Sequence, residues 1–140
     1  MKYHIPKEEE LFDGYEFELQ VYDYKNDIYI DEWEKDVFDI RSGLGHDEYH
    51  TFTEGRVRVE KFSLEQLIPL GYTIHTNDKG TYSWAQKEDC RIDIYDEETT
   101  SIILHDPTPG SITADVDLFC GRIPTLNDFK KLKQYIDRIK

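Results

Sequence analysis

The feature that most constrains this chain is apolar alternation with a period of two. In Glu16-Phe17-Glu18-Leu19-Gln20-Val21-Tyr22 the apolar Phe17, Leu19 and Val21 fall on one side and their polar neighbours on the other, the pattern of a half-buried strand. Turn residues Lys25-Asn26-Asp27 then lead into Ile28-Tyr29-Ile30, so residues 15–33 read as a β-hairpin. Tyr72–Thr76 and Thr81–Gln86 flank Asn77-Asp78-Lys79-Gly80 as a second hairpin, and Cys90–Tyr95 and Thr100–His105 flank Asp96-Glu97-Glu98-Thr99 as a third. Arg56–Phe62 reads as a strand, and another is expected over 112–119 after the break at Pro107-Thr108-Pro109-Gly110. Nothing resembles the long helical crossovers that parallel strands require.

Helical periodicity is confined to two places. Ser63-Leu64-Glu65-Gln66 has capping-box form and opens a short helix stopped by Pro69 and Gly71. At the end of the chain, Thr125 with Asp128 three residues on starts a stripe of Leu126, Phe129, Leu132, Ile136 and Ile139. Lys130, Lys131, Lys133, Arg138 and Lys140 crowd toward the negative end of that helix's dipole. The expected architecture is α+β: an antiparallel sheet of six to eight strands built from hairpins, a short middle helix, and a C-terminal amphipathic helix packed on one face. Two segments carry less pattern. In Asp31–Ile40 either the strand continues, or Trp33, Val37 and Ile40 form a helical face behind an Asp31 cap. Residues 41–55, with Gly43, Gly45 and Gly55, read as a long irregular loop.

The 140 residues contain no repeat or linker and are read as a single domain, 1–140. With 38% apolar residues and 19 aromatics (10 Tyr, 7 Phe, 2 Trp), disorder is excluded. The opening Met1–Glu10 has no apolar core of a signal peptide, and no apolar run approaches the ~20 residues of a membrane helix. A cytoplasmic protein is therefore expected, with Cys90 and Cys120 reduced as small core residues.

Charge is the most informative property. The chain carries 30 acidic against 17 basic residues, a net −13, which argues against direct nucleic-acid binding and against docking on anionic lipid. The excess is concentrated: Glu8–Glu54 holds 16 Asp/Glu but only Lys25, Lys35 and Arg41. Concentrated like charge repels itself in a folded protein and points to a partner. If Phe17, Leu19, Val21, Ile28 and Ile30 face the core, then Glu16, Glu18, Gln20, Tyr22, Tyr24, Tyr29, Asp31 and Trp33 face outward. Rows of carboxylates about 6.6 Å apart on strands, interleaved with tyrosines, could stand in for a nucleic-acid backbone in a groove lined by Lys and Arg. The candidate partner-binding residues are Glu16, Glu18, Tyr22, Tyr24, Asp27, Tyr29, Asp31, Glu32, Glu34, Asp36, Asp47 and Glu48.

His46 and His50 are the candidate metal ligands. An i, i+4 pair converges on one ion only if helical, and the surrounding glycines and threonines read as loop. No nucleophile elbow, phosphate loop or dinucleotide fingerprint is present, and Asp93, Asp96, Asp115 and Asp117 read as the polar half of strand alternation.

From Ser63 to Lys140, the short helix, Leu70-Gly71-Tyr72, the hairpins and the closing Thr125–Ile136 segment (TLNDFKKLKQYI) resemble small phage-encoded proteins of Gram-positive bacteria. The resemblance implies a protein of the host cytosol that acts by binding, against a defence system of the anti-CRISPR or anti-restriction kind. The resulting expectation is a non-enzymatic inhibitor, needing no cofactor, that occupies the basic nucleic-acid-binding surface of a partner. The alternatives are a small metal-dependent enzyme or metal-binding domain around His46 and His50, and an immunity protein against a nuclease toxin. A homodimer joining the acidic hairpin to the basic C-terminal helix is a further possibility.

Overall fold

In a computed structural model, described here for residues 3–88, 90–105 and 117–139, the chain is α+β, with two antiparallel sheets and a helix at the C-terminal end. The strands divide between two compact units, Met1–Glu60 and Lys61–Lys140, where the sequence suggested one sheet.

The first unit contains β1 (Tyr3–His4), β2 (Glu16–Asp23), β3 (Ile28–Val37) and β4 (Val57–Glu60), in the order β1-β4-β2-β3. The hairpin turn forms where expected because Asp23 closes it: Oδ1 accepts the backbone N–H of Lys25 and Asn26, and Oδ2 accepts the Asn26 amide. Asp27 takes the left-handed conformation (φ +55°) that Asp tolerates better than most residues. The strand reading of 31–40 is the one realised, as β3 runs on to Val37.

Opposed residues in an antiparallel pair share a face. Phe17 opposes Asp36 and Leu19 opposes Glu34, while Glu18 opposes Lys35 and Gln20 opposes Trp33. Between Gln20 and Tyr22 the register breaks, with residues 30–32 of β3 bulging against Val21 and the Gln20 amide donating to the Ile30 carbonyl at 2.9 Å. Ile28, expected inward, is 53% exposed. The reason is geometric: β4 pairs β2 only at Glu18 and Leu19, so the far end of the hairpin extends past its neighbour.

Residues 46–53, expected as loop, form helix α1 (His46–Thr53). Its first turn carries Asp47 and Glu48, which favour the positive end of a helix dipole, and Phe52 anchors it edge-on against Phe17 at 6.3 Å. A helix of one amphipathic contact offers little periodicity to read. The buried hydrophobic cluster of this unit is Tyr15, Phe17, Phe52 and Val57.

The second unit contains a 3-10 helix (Leu64–Leu70), then β5 (Thr73–Thr76), β6 (Ser83–Lys87), β7 (Cys90–Asp96), β8 (Ser101–His105) and β9 (Asp117–Arg122) as a sheet in sequence order, and α2 (Leu126–Ile139). Both expected capping boxes are present: the Ser63 N–H donates to Gln66 at 3.2 Å, and the Thr125 N–H and hydroxyl donate to Asp128 at 3.2 and 2.8 Å. The strand expected over 112–119 is seen as β9 from Asp117; its first part, and the break at 107–110, lie outside the described residues. Ala85, Ile92 and Leu104 oppose one another across the sheet, and Phe129 and Ile136 of α2 join them in one core. Cys90 is buried there, but Cys120 is exposed on the last strand, contrary to its reading as a core residue; neither forms a disulfide.

Candidate functional site

The acidic excess of the sequence falls on the first unit, which carries 17 Asp/Glu against 7 Lys/Arg, while the second carries 13 against 10. The hairpin and α1 distribute these acids in three ways.

Some are neutralised. Arg58 on β4 donates through Nε to Glu18 at 3.3 Å, and its guanidinium lies 4.1 Å from the ring centres of both Tyr3 and Trp33. Glu18 is thus half of an ion pair, and Trp33 covers the cation. Arg56 reaches Gln20 at 3.1 Å, lies 3.8 Å from Glu54, and stacks over Tyr29 at 4.3 Å.

Others are set on each other or on the turn. Glu48 hydrogen-bonds Asp36, and desolvation, followed by the Asp36 carboxylate, holds its pKa above the ordinary value. Asp27 sits in the turn, and Glu16 stands at the start of β2 opposite Val37.

The remainder form an exposed ridge. β3 is the outer strand of its sheet, and Asp31, Glu32 and Glu34 on it are all exposed, with Lys35 the cation among them. Charges on an edge strand deter pairing with another copy of itself. Glu16 and Glu18 share a face with Lys35 and Trp33, whereas Glu34 and Asp36 share the face of Leu19 and Phe17. The acids therefore wrap the edge of the sheet; the single outward face expected from alternation is not what forms.

Beside the ridge, the hairpin tip meets α1. Tyr22 packs edge-to-face on Tyr24 and on Tyr29, with ring centres 5.0 Å apart in each case. The Tyr24 hydroxyl donates to Asp47 at 3.2 Å, and the Tyr29 hydroxyl is 3.3 Å from Thr51. The Asp47 charge raises the pKa of Tyr24. These tyrosines, with Asp47, His50 and Glu54, line a cavity of about 300 Å³. Tyr22, Tyr24, Tyr29 and Asp47, separated by up to 25 positions, are thereby brought together.

His46 and His50 do lie on a helix, four residues apart, which removes the objection that they sit in a loop. His50 is 3.1 Å from Glu54. Among the described residues no group of three or more His, Cys, Asp or Glu is placed to hold a metal ion.

Compared with known proteins, the chain matches no family model, no curated protein and no solved structure. Function must be read from the chain's own chemistry. Among the described residues, no helix is long and apolar enough to cross a membrane.

Sequence reasoning missed one polar cluster in the second unit. Asp93, read as solvated strand surface, is only 7% exposed. It accepts the Tyr82 hydroxyl at 2.5 Å and Arg91 Nε at 3.0 Å, and lies 3.0 Å from His105 Nε2. Burial pushes the Asp93 pKa up, but the hydrogen bonds from Arg91, Tyr82 and His105 outweigh it and the pKa is lowered. Tyr82 is pushed up to about 12 by desolvation and by the Asp93 carboxylate. The available signal was the spacing of Arg91 and Asp93, two apart and so on one strand face. Both carboxylate oxygens of Asp93 are engaged by these neighbours, so the cluster reads as a structural clasp.

Proposed function

We propose that the first unit is an acidic docking surface for a basic protein, and that the protein acts as a non-enzymatic inhibitor of a nucleic-acid-binding partner. The observation that carries this reading is the exposed ridge Asp31-Glu32-Glu34 on the outer strand of a sheet whose unit holds 17 acids against 7 bases. Three carboxylates at ~3.3 Å of rise per residue occupy about 10 Å of strand, a charge density that a Lys- and Arg-lined phosphate groove is built to meet. Tyr24, 73% exposed, and Ile28 beside it supply the apolar contact that lets such a surface bind specifically as well as electrostatically. An anti-defence role in a phage-infected host cytosol and an immunity role against a nuclease toxin both rest on this same surface.

The test is a charge reversal confined to the ridge. Glu18 is left unchanged, because a lysine there would face Arg58 and disturb the fold. Asp31→Lys, Glu32→Lys and Glu34→Lys combined should keep the thermal transition of the parent chain. Immobilised parent protein should retain a basic nucleic-acid-binding protein from a bacterial lysate at about 50 mM salt and lose it at about 500 mM, where the Debye length is less than half as long. Duplex DNA should displace that protein, and the triple variant should fail to capture it. Capture that DNA does not compete with, or that the triple variant matches, overturns the proposal.

A further inference from the structure

The first unit already shows how it holds a guanidinium. Arg58 lies between two aromatic rings, 4.1 Å from each ring centre, with a carboxylate 3.3 Å from its Nε. Aromatic faces attract cations through their quadrupole, and a flat guanidinium can stack on a ring while its N–H fork reaches a carboxylate. The cleft between the hairpin tip and α1 presents the same ingredients around a cavity of about 300 Å³.

Here the aromatic wall is Tyr22 and Tyr24, with Tyr29 behind, and the carboxylate is Asp47. Tyr24 is held by its hydrogen bond to Asp47 although its ring is 73% exposed, so the wall is fixed before anything binds. The charged groups already present divide the cleft. Glu54 is engaged by His50 at 3.1 Å and by Arg56 at 3.8 Å, and Arg56 covers Tyr29. That end is electrically satisfied. At the other end the described hydrogen-bond partner of Asp47 is an uncharged phenol, so its negative charge is not balanced by a cation. A cation entering the cleft would therefore settle over Tyr22 and Tyr24 against Asp47.

We propose that this cleft is a socket for one arginine side chain of the basic partner. The inference rests on the acidic docking surface proposed above and names its anchoring contact. Arginine fits better than lysine because the planar group can lie on Tyr24 while an N–H reaches Asp47, as Arg58 lies on Trp33 while its Nε reaches Glu18. Exposed aromatic residues flanked by charge are the usual makings of an interface hot spot.

The experiment titrates the full chain with N-acetyl-arginine methylamide and, separately, with its uncharged citrulline analogue, following backbone and tyrosine resonances by NMR. The arginine compound should shift Tyr22, Tyr24 and Asp47 with a dissociation constant of about 1–10 mM, as befits one side chain. The citrulline compound should leave them unmoved. Asp47→Asn, which keeps the shape of the carboxylate, and Tyr24→Ala, at an exposed site, should each weaken binding about five-fold. The triple ridge variant should still bind the arginine compound at the same residues, weakened by about two- to three-fold at most, since the exposed ridge charges beside the cleft are screened by salt. Equal shifts from arginine and citrulline, unchanged affinity in Asp47→Asn, or loss of binding in the ridge variant would each overturn the socket. The ridge keeps its separate test by lysate capture and DNA competition, so failure of one reading is distinguishable from failure of the other.

Discussion

The two units of this chain put their residues to different uses. Lys61–Lys140 buries twelve residues in one core, from Phe62 to Ile136, and is nearly balanced in charge. Met1–Glu60 has a hydrophobic cluster of four buried residues among those described and carries most of the acid. Each buried large apolar side chain is worth roughly 1.5–3 kcal/mol, so the second unit has the larger hydrophobic stabilisation by a wide margin. The first relies instead on aromatic–cation contacts around Arg56 and Arg58 and on a hairpin that extends past its neighbouring strand. The first unit leaves charge and tyrosines outside at the expense of core, as the proposed docking surface requires; the second keeps its apolar residues inside and carries most of the hydrophobic stabilisation.

The largest expected effect tests that contrast directly. Leu104→Ala, at a position with no exposure, should destabilise the second unit by about 3–5 kcal/mol. Phe17→Ala should cost the first unit about 3 kcal/mol or less, because a four-residue cluster at a hairpin can relax around the gap. Each unit has one tryptophan, Trp33 and Trp84, so single-tryptophan variants let fluorescence in urea report on them separately. Equal costs would mean that the small core is as rigidly packed as the large one, and the contrast would fail.

Next in size is the Asp93 clasp. Asp93→Ala leaves Tyr82, Arg91 and His105 without their shared acceptor, and should cost about 1–3 kcal/mol at pH 7. A carboxyl whose folded pKa is lowered contributes stability that is present above its ordinary value of 3.8 and is lost as pH falls through the folded value. The gap between parent and Asp93→Ala should therefore close in acid below pH 3.8. A gap that stays constant down to the acid transition would show that packing, not the ionised carboxylate, accounts for the loss.

Arg58→Met is a smaller perturbation with a sharper location. It keeps the aliphatic stem but removes the cation from Tyr3, Trp33 and Glu18, and should cost about 1 kcal/mol. Trp33 emission should shift to the red as its cover is lost, with Trp84 unchanged. An unaltered Trp33 spectrum would show that the stacking does not persist in solution.

How much of this was legible beforehand varies with the range of the interaction. Capping at Thr125 and Ser63, the three hairpins and the stripe on α2 were readable because each depends on residues within a few positions of one another. Helix α1 was not, since it is held mainly by Phe52 on Phe17, 35 positions away, and glycines at 43 and 45 mask its start. Asp93 was misread because alternation says which face a residue takes but not whether neighbouring strands will cover it. The acids were found, yet their distribution was not: the register that pairs Leu19 with Glu34 places carboxylates on both faces of the hairpin, and Arg58 neutralises one of those expected to face a partner.

The smallest expected effect has the opposite sign. Glu48 and Asp36 are two carboxyls in hydrogen-bond contact, and the Glu48 pKa is raised, first by desolvation and then by Asp36. A carboxyl with a raised folded pKa binds its proton more tightly in the native state. Its contribution to stability is full below the ordinary value of 4.5 and is lost as pH rises through the folded value. Above its folded value the ionised Glu48 is repelled by the Asp36 carboxylate. Glu48→Gln keeps the hydrogen bond to Asp36 while removing one charge, so it should stabilise the first unit at pH 7. The gain is kept to about 0.5 kcal/mol because the pair is only half-buried and solvent still screens it. At pH 4 parent and variant should melt together, since Glu48 is then mostly protonated in both states. Because the pair belongs to the unit proposed to dock a basic partner, removing one of its charges should also make the variant bind the captured basic protein somewhat more weakly while being more stable. A variant that is both more stable and equally tight in binding would assign the Asp36–Glu48 pair to folding alone and move the docking surface wholly onto the ridge and the tyrosine cleft.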